Sequence, residues 1–435
     1  MRRAALAGFA AWLALGARAS AQQASTATAT LEERVRILER RLEATTAQSK
    51  AAPSINANPF SPDGFGLRSA DGAFRLRIGG AVQADDRAFL TTAAQGADQF
   101  LIRRARLYLE GVVQKYVEFR VLPDFAAGQP LLEEAYVDLD YTKAFRVQAG
   151  KFKSPLGLER LQAEVNTLFI ERGLTADLEP NRDTGVQIHG ELLGRALTYQ
   201  AALVNGAPDG AVFEGDTENN KDFVGRLFVR PFKASGSPMW EELGLGVGGS
   251  VGRQQDGGAG SLATYATETQ RTFFTYANPV VSAGARRRLA PQAYWYPANF
   301  SLMGEFVAAQ HTPRSGGVTQ TLTHRAYQVA GSWVLTGEKT SYNGLRPRRN
   351  FEPGSGGMGA WELAARYSAL EVDGASFPLY ASAAASARRA DAVTGGLNWY
   401  LNPSTRVAVN YTRTVFAGGP RSTEEAVFSR LQVSF

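Results

Sequence analysis

In the segment Phe74-Arg75-Leu76-Arg77-Ile78-Gly79-Gly80-Ala81-Val82, apolar side chains recur at every second position. Successive side chains of an extended strand point to opposite faces, so the apolar residues share one face and Arg75 and Arg77 share the other. The same alternation returns in 101–112, in 134–141 and in the last segment, 425–435. This period of two predicts a series of strands with one apolar and one polar face.

Sixteen segments of this kind can be counted between residue 74 and the C-terminus. They are about 10–14 residues long, which is longer than the usual strands of a β-sandwich and matches the length of a tilted membrane strand. Tight and long connections alternate, as they do in outer-membrane barrels. The exception is 337–358, which is either an unusually long periplasmic turn or a slip in the count. The predicted fold is an all-β, 16-stranded antiparallel transmembrane β-barrel with a water-filled channel, preceded by a short α-helical coiled coil.

The composition excludes a helical membrane protein. The chain has 435 residues, of which 44% are hydrophobic and 20% charged, and it contains no cysteine. Its longest apolar run, Ala4–Ala17, is shorter than the roughly 20 residues that a membrane-spanning helix needs. A β-barrel can cross a membrane at this polarity, because only half of each strand faces lipid. The lack of cysteine also excludes cysteine nucleophiles and iron–sulfur clusters.

The N-terminus predicts export. Residues 1–21 read as a signal peptide, with Arg2 and Arg3 before the apolar run and Ala19-Ser20-Ala21 as the cleavage site. The alternative is a short buried helix. Together with the barrel, this signal predicts the outer membrane of a Gram-negative bacterium.

A short coiled coil is predicted at 22–48. Leu31, Val35, Leu38, Leu42 and Thr45 are spaced as in a heptad seam, with charged residues between them. The alternatives are a solitary amphipathic helix and a tether across the periplasm. The proline-containing segment 49–64 is interpreted as a linker, which leaves 65–435 for the barrel.

The polar faces of the first five strands are rich in arginine. Arg104, Arg106 and Arg120 fall on inward faces, as do Arg75, Arg77 and Arg146, whereas Arg103 falls on the nominal lipid face. A channel lined in this way concentrates anions. Acidic residues of the same sector could instead pair with the arginines and cancel their charge, and these are Glu118, Asp124, Glu134, Asp138 and Asp140.

The 154–183 connection is the third external loop in this count. Lys151 and Lys153 stand at its entry, and it contains Arg160, Arg172 and Arg182. Long loops in compact proteins are usually functional, so we expect this one to fold into the lumen and form the constriction. The alternative is an external flap.

The chain resembles the phosphate-selective porin O and P family over most of 65–435. The resemblance rests on Leu76–Gly80, Phe100–Arg106 with Leu109–Gly111, Gly150–Glu159, Phe169–Arg172, Gly359–Ser368 and Gly396–Leu401. It implies a homotrimer of sixteen-stranded barrels. By position, Arg103 and Arg104 match an arginine pair of the family's phosphate site, Arg160 and Arg172 match basic residues of its third loop, and Asp124 matches a neighbouring acid. One departure is Ala81, which stands where phosphate-specific members carry an arginine.

The predicted function is an outer-membrane porin for passive uptake of phosphate, polyphosphate and other small anions. The alternative is a non-specific or differently selective porin. An enzyme is not expected, because His189, His311 and His324 are scattered and the sequence has no Gly-x-Ser-x-Gly elbow. We expect no cofactor, metal or nucleic acid, and we expect outer-membrane lipid as a partner. The candidate anion-binding and pore-lining residues are Arg103, Arg104, Arg106, Arg120, Lys151, Lys153, Arg160, Arg172 and Asp124.

Overall fold

The computed structural model describes residues 33–44, 54–56, 65–91, 96–211, 219–254 and 262–435. The chain divides into two compact units, Met1–Ile55 with Leu67–Ala73, and Asn56–Gly66 with Phe74–Phe435. The described part of the first unit contains a helix at 33–44 whose residues are all exposed. The predicted signal peptide and most of the predicted linker lie outside the described residues. None of the helices in the described ranges is long and apolar enough to cross a membrane.

The second unit is a closed barrel of sixteen antiparallel strands, as predicted. Its last strand pairs with its first, for example Val433 with Val82. Two short strands, Ser54–Asn56 and Phe65–Arg68, precede the barrel in the chain. The barrel strands are β1 Arg75–Phe89, β2 Gln99–Val113, β3 Val117–Asp124, β4 Leu131–Thr142, β5 Phe145–Lys153, β6 Arg182–Leu192, β7 Leu197–Val204, β8 Asp222–Val229, β9 Leu243–Gln254, β10 Gly284–Trp295, β11 Phe300–His311, β12 Leu322–Val334, β13 Ala360–Glu371, β14 Arg389–Asn402, β15 Thr405–Ala417 and β16 Glu424–Ser434.

The strands follow the period of two in the sequence. In β12 every second residue is buried inside the barrel, including His324 and Gln328, whereas Arg325, Val329 and Trp333 are exposed outside. Polar side chains such as Gln328 therefore face the lumen and apolar ones such as Val329 face outward, which is the arrangement of a membrane barrel; Arg325, near the loop end of the strand, is an exception.

The two ends of the barrel differ in their connections. The tight turns at 114–116, 143–144 and 403–404 share one end with the long connection 335–359, which joins β12 to β13. The strand count therefore does not slip, and 335–359 is a long connection on the turn side. Outward aromatic pairs mark this end, such as the stacked Trp361 and Trp399, whose ring centroids are 4.9 Å apart. Such girdles occur at membrane interfaces.

A β-bulge corrects the prediction that Arg103 faces lipid. Gln83 pairs with Arg104 while the next residue, Ala84, pairs with Ile102, so Arg103 is an extra residue in β2. An extra residue interrupts the alternation of faces and redirects its side chain. The Arg103 guanidinium turns into the barrel, where its Nε lies 2.6 Å from Glu171.

Candidate functional site

Loop 3, which we define as residues 154–181, lies against the inner surface of β9–β16. Inward side chains of the barrel donate hydrogen bonds to its backbone carbonyls, from Gln292 to Leu156 at 2.7 Å and from Arg406 to Thr167 at 2.8 Å. Gly248 of β9 leaves room for this backbone, since a Cβ there would lie 2.3 Å from the Leu156 carbonyl oxygen. Loop 3 therefore occupies the part of the lumen next to these strands.

Two buried glutamates anchor loop 3. Glu159 of the loop accepts hydrogen bonds from Gln328 at 3.0 Å and from Arg366 at 3.2 Å. Glu305 of β11 accepts a bond from the Leu158 backbone N–H at 2.7 Å and from the Thr175 hydroxyl at 2.6 Å. Buried charges that keep such partners are costly to disrupt, so the loop is held at several points.

Loop 5 connects β9 to β10, and its described part, residues 262–283, also enters the lumen, which was not predicted from the sequence. Its Glu268 is buried and lies 2.6 Å from Arg366 of β13. Its Ala266 N–H donates to Asp177 of loop 3 at 2.8 Å. The length of loop 5 could have predicted this position, because long loops in compact proteins are usually functional.

Two cavities remain between these loops and the arginine-bearing strands. The outer cavity, of about 260 Å³, is bounded by loop 3, by Gly210 and by Thr267 of loop 5. The inner cavity, of about 300 Å³, opens toward the turn side at Asn343 and Pro403. Both are lined by Arg104, Arg106 and Glu164, so these three residues stand at the junction of the two cavities.

Positive charge prevails along both cavities. Six arginines against four carboxylates leave a formal charge of +2 on the side chains of the outer cavity. The inner cavity is lined by five arginines and one glutamate. A confined basic space of this kind raises the local concentration of anions. The outer set is Arg103, Arg104, Arg106, Arg160, Arg172 and Arg182 with Glu133, Glu164, Glu171 and Asp177, and the inner set is Arg77, Arg104, Arg106, Arg120 and Arg346 with Glu164.

Most of the predicted arginines have carboxylate partners. Arg106 lies 2.7 Å from Asp124 and 3.1 Å from Glu164, and it also pairs with Glu133. Arg120 lies 2.7 Å from Glu110 and 3.0 Å from Glu134. The pairing that the sequence left open as an alternative therefore occurs at both residues, and it reduces their effect on a passing anion.

Glu171 of loop 3 neutralises the bulge arginine. It lies 2.6 Å from Arg103 and 2.7 Å from Arg87. Burial alone would raise the pKa of Glu171, but the charge of Arg103 and its neighbours holds that pKa well below the usual range. Glu171 is therefore ionised at neutral pH.

Arg104 has a different partner. Its Nη1 donates to the amide oxygen of Gln83 at 2.7 Å, and among the described residues no carboxylate oxygen lies within 4.0 Å of it. Gln83 in turn donates to Gln432 at 2.7 Å, and Gln432 donates to the Val165 carbonyl of loop 3 at 3.0 Å. A chain of neutral amides therefore orients a guanidinium that has no direct carboxylate partner among the described residues.

The basic residues of loop 3 and Lys153 at its entry contact the loop itself, whereas Lys151 contacts β4. Arg172 lies 3.3 Å from Glu164, and Lys153 lies 3.3 Å from the same residue. Arg160 donates to the Ala176 carbonyl and lines the outer cavity. Lys151 donates to the Leu132 carbonyl at 2.7 Å and, like Lys153, lines neither of the two cavities.

Asp124 is a structural acceptor beside the site. Its carboxylate accepts hydrogen bonds from the backbone of Ala105 at 3.1 Å and of Ala126 at 3.0 Å, in addition to the Arg106 bond. It lines neither cavity and holds Arg106 in place.

Arg182 was outside the set of candidate site residues, although the sequence analysis noted it at the end of the loop. It is the first residue of β6 and lines the outer cavity. It lies 2.8 Å from Glu133, 3.0 Å from Glu134 and 3.1 Å from Glu164. Its position after a basic loop was the available signal.

Asp177 is the titratable group of the outer cavity near neutrality. Burial raises the pKa of Asp177 to about 7, although the Ala266 N–H and the charge of Arg160 oppose the shift.

In the described ranges, no group of three or more histidines and carboxylates is placed to hold a metal ion. His189 contacts Asp138 at 3.0 Å, and His324 contacts the Tyr276 hydroxyl at 2.7 Å.

Comparison with known proteins identifies the family. The family model described as phosphate-selective porin O and P matches residues 76–416. Porin O of Pseudomonas aeruginosa is 22% identical over 381 residues, covering 80% of this chain and 85% of that protein. Two solved structures share the fold. The anion-selective porin from Comamonas acidovorans has a TM-score of 0.53 at 12% identity, covering 83% of this chain and 100% of its own. In-vitro folded OmpT of Vibrio cholerae, in its trimer form, has a TM-score of 0.52 at 10% identity with the same coverages, 83% and 100%. The chain therefore belongs to the phosphate-selective porin O and P family of outer-membrane channels and is not an enzyme.

Proposed function

We propose that the chain forms an anion-selective channel for passive uptake of phosphate or polyphosphate. The observation that carries this proposal is Arg104, whose guanidinium has a neutral amide as its partner and lies where the outer and inner cavities meet. Guanidinium groups suit phosphate because their planar fork gives paired, charge-assisted hydrogen bonds. Family membership and the similarity in fold to the anion-selective porin from Comamonas support the same function.

The proposed path runs along β1–β6 rather than through the centre of the barrel. An anion enters the outer cavity, passes Arg104 and Arg106 at the junction, and leaves through the inner cavity toward the turn side. Carboxylates beside Arg106 and Arg103 keep binding weak enough for release, which conduction requires. Arg120 acts in the inner cavity, and Arg160 and Arg172 act in the outer one.

A weakly selective porin is the second candidate. The observation that favours it is the pairing of Arg106 and Arg120 with carboxylates, which leaves fewer free charges than the sequence suggests. Ala81, which lines the inner cavity without a charge, favours it as well.

The two candidates differ in reversal potential. The experiment measures reversal potentials of single channels in a salt gradient, with and without added phosphate, for the native chain and for Arg104→Ala. We expect the native channel to prefer anions and Arg104→Ala to lose that preference. Arg195→Ala, at an exposed residue of a tight turn paired with Glu191, serves as the control. Cation selectivity of the native channel, or chloride current that phosphate does not block, would overturn the proposal.

We also propose that residues 1–21 are a cleaved signal peptide, that 22–48 form a periplasmic coiled coil joined by the linker 49–64, and that the protein is a homotrimer. The helix at 33–44 and the trimer form of OmpT support this arrangement. If the coiled coil locks the trimer, a mature chain lacking 22–62 will run as monomers on a native gel. Unchanged trimers would reject the locking role.

A further inference from the structure

Three arginines stand on the outer surface of the barrel near its loop end. Arg253 of β9, Arg287 of β10 and Arg325 of β12 are exposed. Chain neighbours of all three are buried inside, namely Gln254 in β9, Arg286 and Arg288 in β10 and His324 in β12, so the alternation of the strands places the three arginines on the outward face. We call them the arginine rim.

The arginine rim lies at one edge of the apolar band. In β10 and in β12 the arginine precedes an outward tryptophan, Trp295 or Trp333, by eight residues. Eight residues span about 26 Å along a strand and about 20 Å along the membrane normal after tilt, close to the height of the lipid-facing band. Exposed Leu289 and Val329 lie between these ends. The tryptophans therefore mark the turn-side interface, and the arginines mark the opposite one.

Two of the rim arginines, Arg253 of β9 and Arg287 of β10, are neighbours on adjoining strands. Arg287 pairs with Val251, which places Arg253 diagonally next to it, at the roughly 7–8 Å of diagonal pairs. Arg325 lies two strands from Arg287, with β11 between them, because it pairs with Ala308, which in turn pairs with Leu289 of β10. From these positions the long arginine side chains can reach separate phosphate groups of one polyanionic headgroup.

The rim arginines lack acidic partners, unlike the other outward arginines. Within the described ranges, no carboxylate oxygen lies within 4.0 Å of Arg253, Arg287 or Arg325. On β14 and β15, by contrast, Arg389 lies 2.7 Å from Asp391, and Arg413 lies 3.3 Å from Glu425. Glu371, opposite Arg325 in the register, contacts Arg389 instead at 3.5 Å. One sector of the outer interface is therefore basic and another is self-neutralised.

We propose that the arginine rim binds the phosphate groups of lipopolysaccharide, the glycolipid of the outer leaflet. Long external loops place the loop end of a porin at that leaflet. Unpaired guanidinium groups at a membrane interface attract anionic headgroups, and phosphate accepts their paired hydrogen bonds. The arginine stems lie along apolar surface while the charged ends reach the headgroup layer. This surface faces away from the lumen, so the proposal is independent of the transport path.

The test compares two sets of variants of the full-length protein. Arg253→Gln, Arg287→Gln and Arg325→Gln are combined in one variant, and Arg389→Gln and Arg413→Gln form the control. Each protein is first purified in detergent with a chelator that removes bridging cations. It is then reconstituted into nanodiscs that contain purified lipopolysaccharide at low mole fraction. Native mass spectrometry counts the glycolipid bound per trimer or monomer. Single-channel conductance shows that each variant is folded.

We expect the native protein and the control to retain lipopolysaccharide and the rim variant to bind about tenfold less, because three charge-assisted contacts are lost. Dephosphorylated lipopolysaccharide should bind the native protein as weakly as the intact glycolipid binds the rim variant. Equal retention by the rim variant, or equal binding of the dephosphorylated glycolipid, would overturn the proposal. Loss of binding in the control alone would place the site on β14 and β15 and would overturn it as well.

Discussion

Anion preference should depend on the neutral partner of Arg104. Gln83→Glu changes one amide group to a carboxylate of nearly the same size, and it places that charge where the Gln83 oxygen now lies 2.7 Å from the Arg104 guanidinium. Arg104 would then be paired like Arg106 and Arg120. The junction of the two cavities would lose its uncancelled positive charge.

The size of the effect follows from Coulomb's law. An anion passing about 6 Å from an uncancelled guanidinium is stabilised by about 0.7 kcal/mol at the dielectric constant of water and by about 2.8 kcal/mol at an effective value near 20. Full cancellation therefore removes a stabilisation of the anion worth a factor of about 3 to 100, and the anion-to-cation permeability ratio falls by at least this factor because a cation is repelled by the same energy. The loss should shrink as salt rises, because ions screen exposed charges.

Reversal potentials in a salt gradient across planar bilayers measure this ratio. Gln83→Met is the matched control, since it keeps the side-chain length and removes the hydrogen bond without adding a charge. We expect Gln83→Met to retain most of the anion preference and Gln83→Glu to lose it. If Gln83→Glu conducts with unchanged selectivity, or if Gln83→Met loses as much, the charge of Arg104 does not set the selectivity.

Three further predictions concern the loops inside the barrel. Below pH 7 protonation of Asp177 removes a negative charge from the outer cavity, so anion preference should be higher at pH 5.5 than at pH 8.5, and Asp177→Asn should abolish the difference in reversal potential. Gly248→Ala should lower the free energy of unfolding by about 1–3 kcal/mol, measured by denaturant titration, because its Cβ would meet the Leu156 carbonyl. Glu171→Gln should cost about 3–5 kcal/mol in the same assay, because it leaves Arg103 without its buried partner; an unchanged midpoint would contradict either prediction.

The sequence predicted the strands well because a barrel strand records its environment in its own side chains. Each strand faces lipid on one side and water on the other, so the alternation in β12 is visible without knowledge of its neighbours. The bulge at Arg103 could not be predicted in this way. It is a property of the pairing between β1 and β2, and the sequence of β2 alone does not show which of its residues has no partner in β1.

The candidate site also has features that the sequence predicts and features that depend on long-range contacts. Residue types and loop length indicated a basic lumen with Arg104, Arg106 and Arg120 on its wall. Which charges are cancelled depends on contacts between residues far apart in the chain, such as Arg103 with Glu171 of loop 3 and Gln83 with Gln432 of β16. The entry of loop 5 into the lumen depends on a similar long-range contact, between Glu268 and Arg366.

The architecture follows from local features of the sequence: an apolar period of two, strands long enough to cross a membrane, and polar residues on one face of each strand. A strand between lipid and water shows these features whatever its neighbours are. The details that control ion selectivity follow instead from long-range contacts. The closure of the barrel and the packing of loop 3 set the distance between each carboxylate and each guanidinium. The Coulomb energy depends on these distances rather than on the number of charges in the chain.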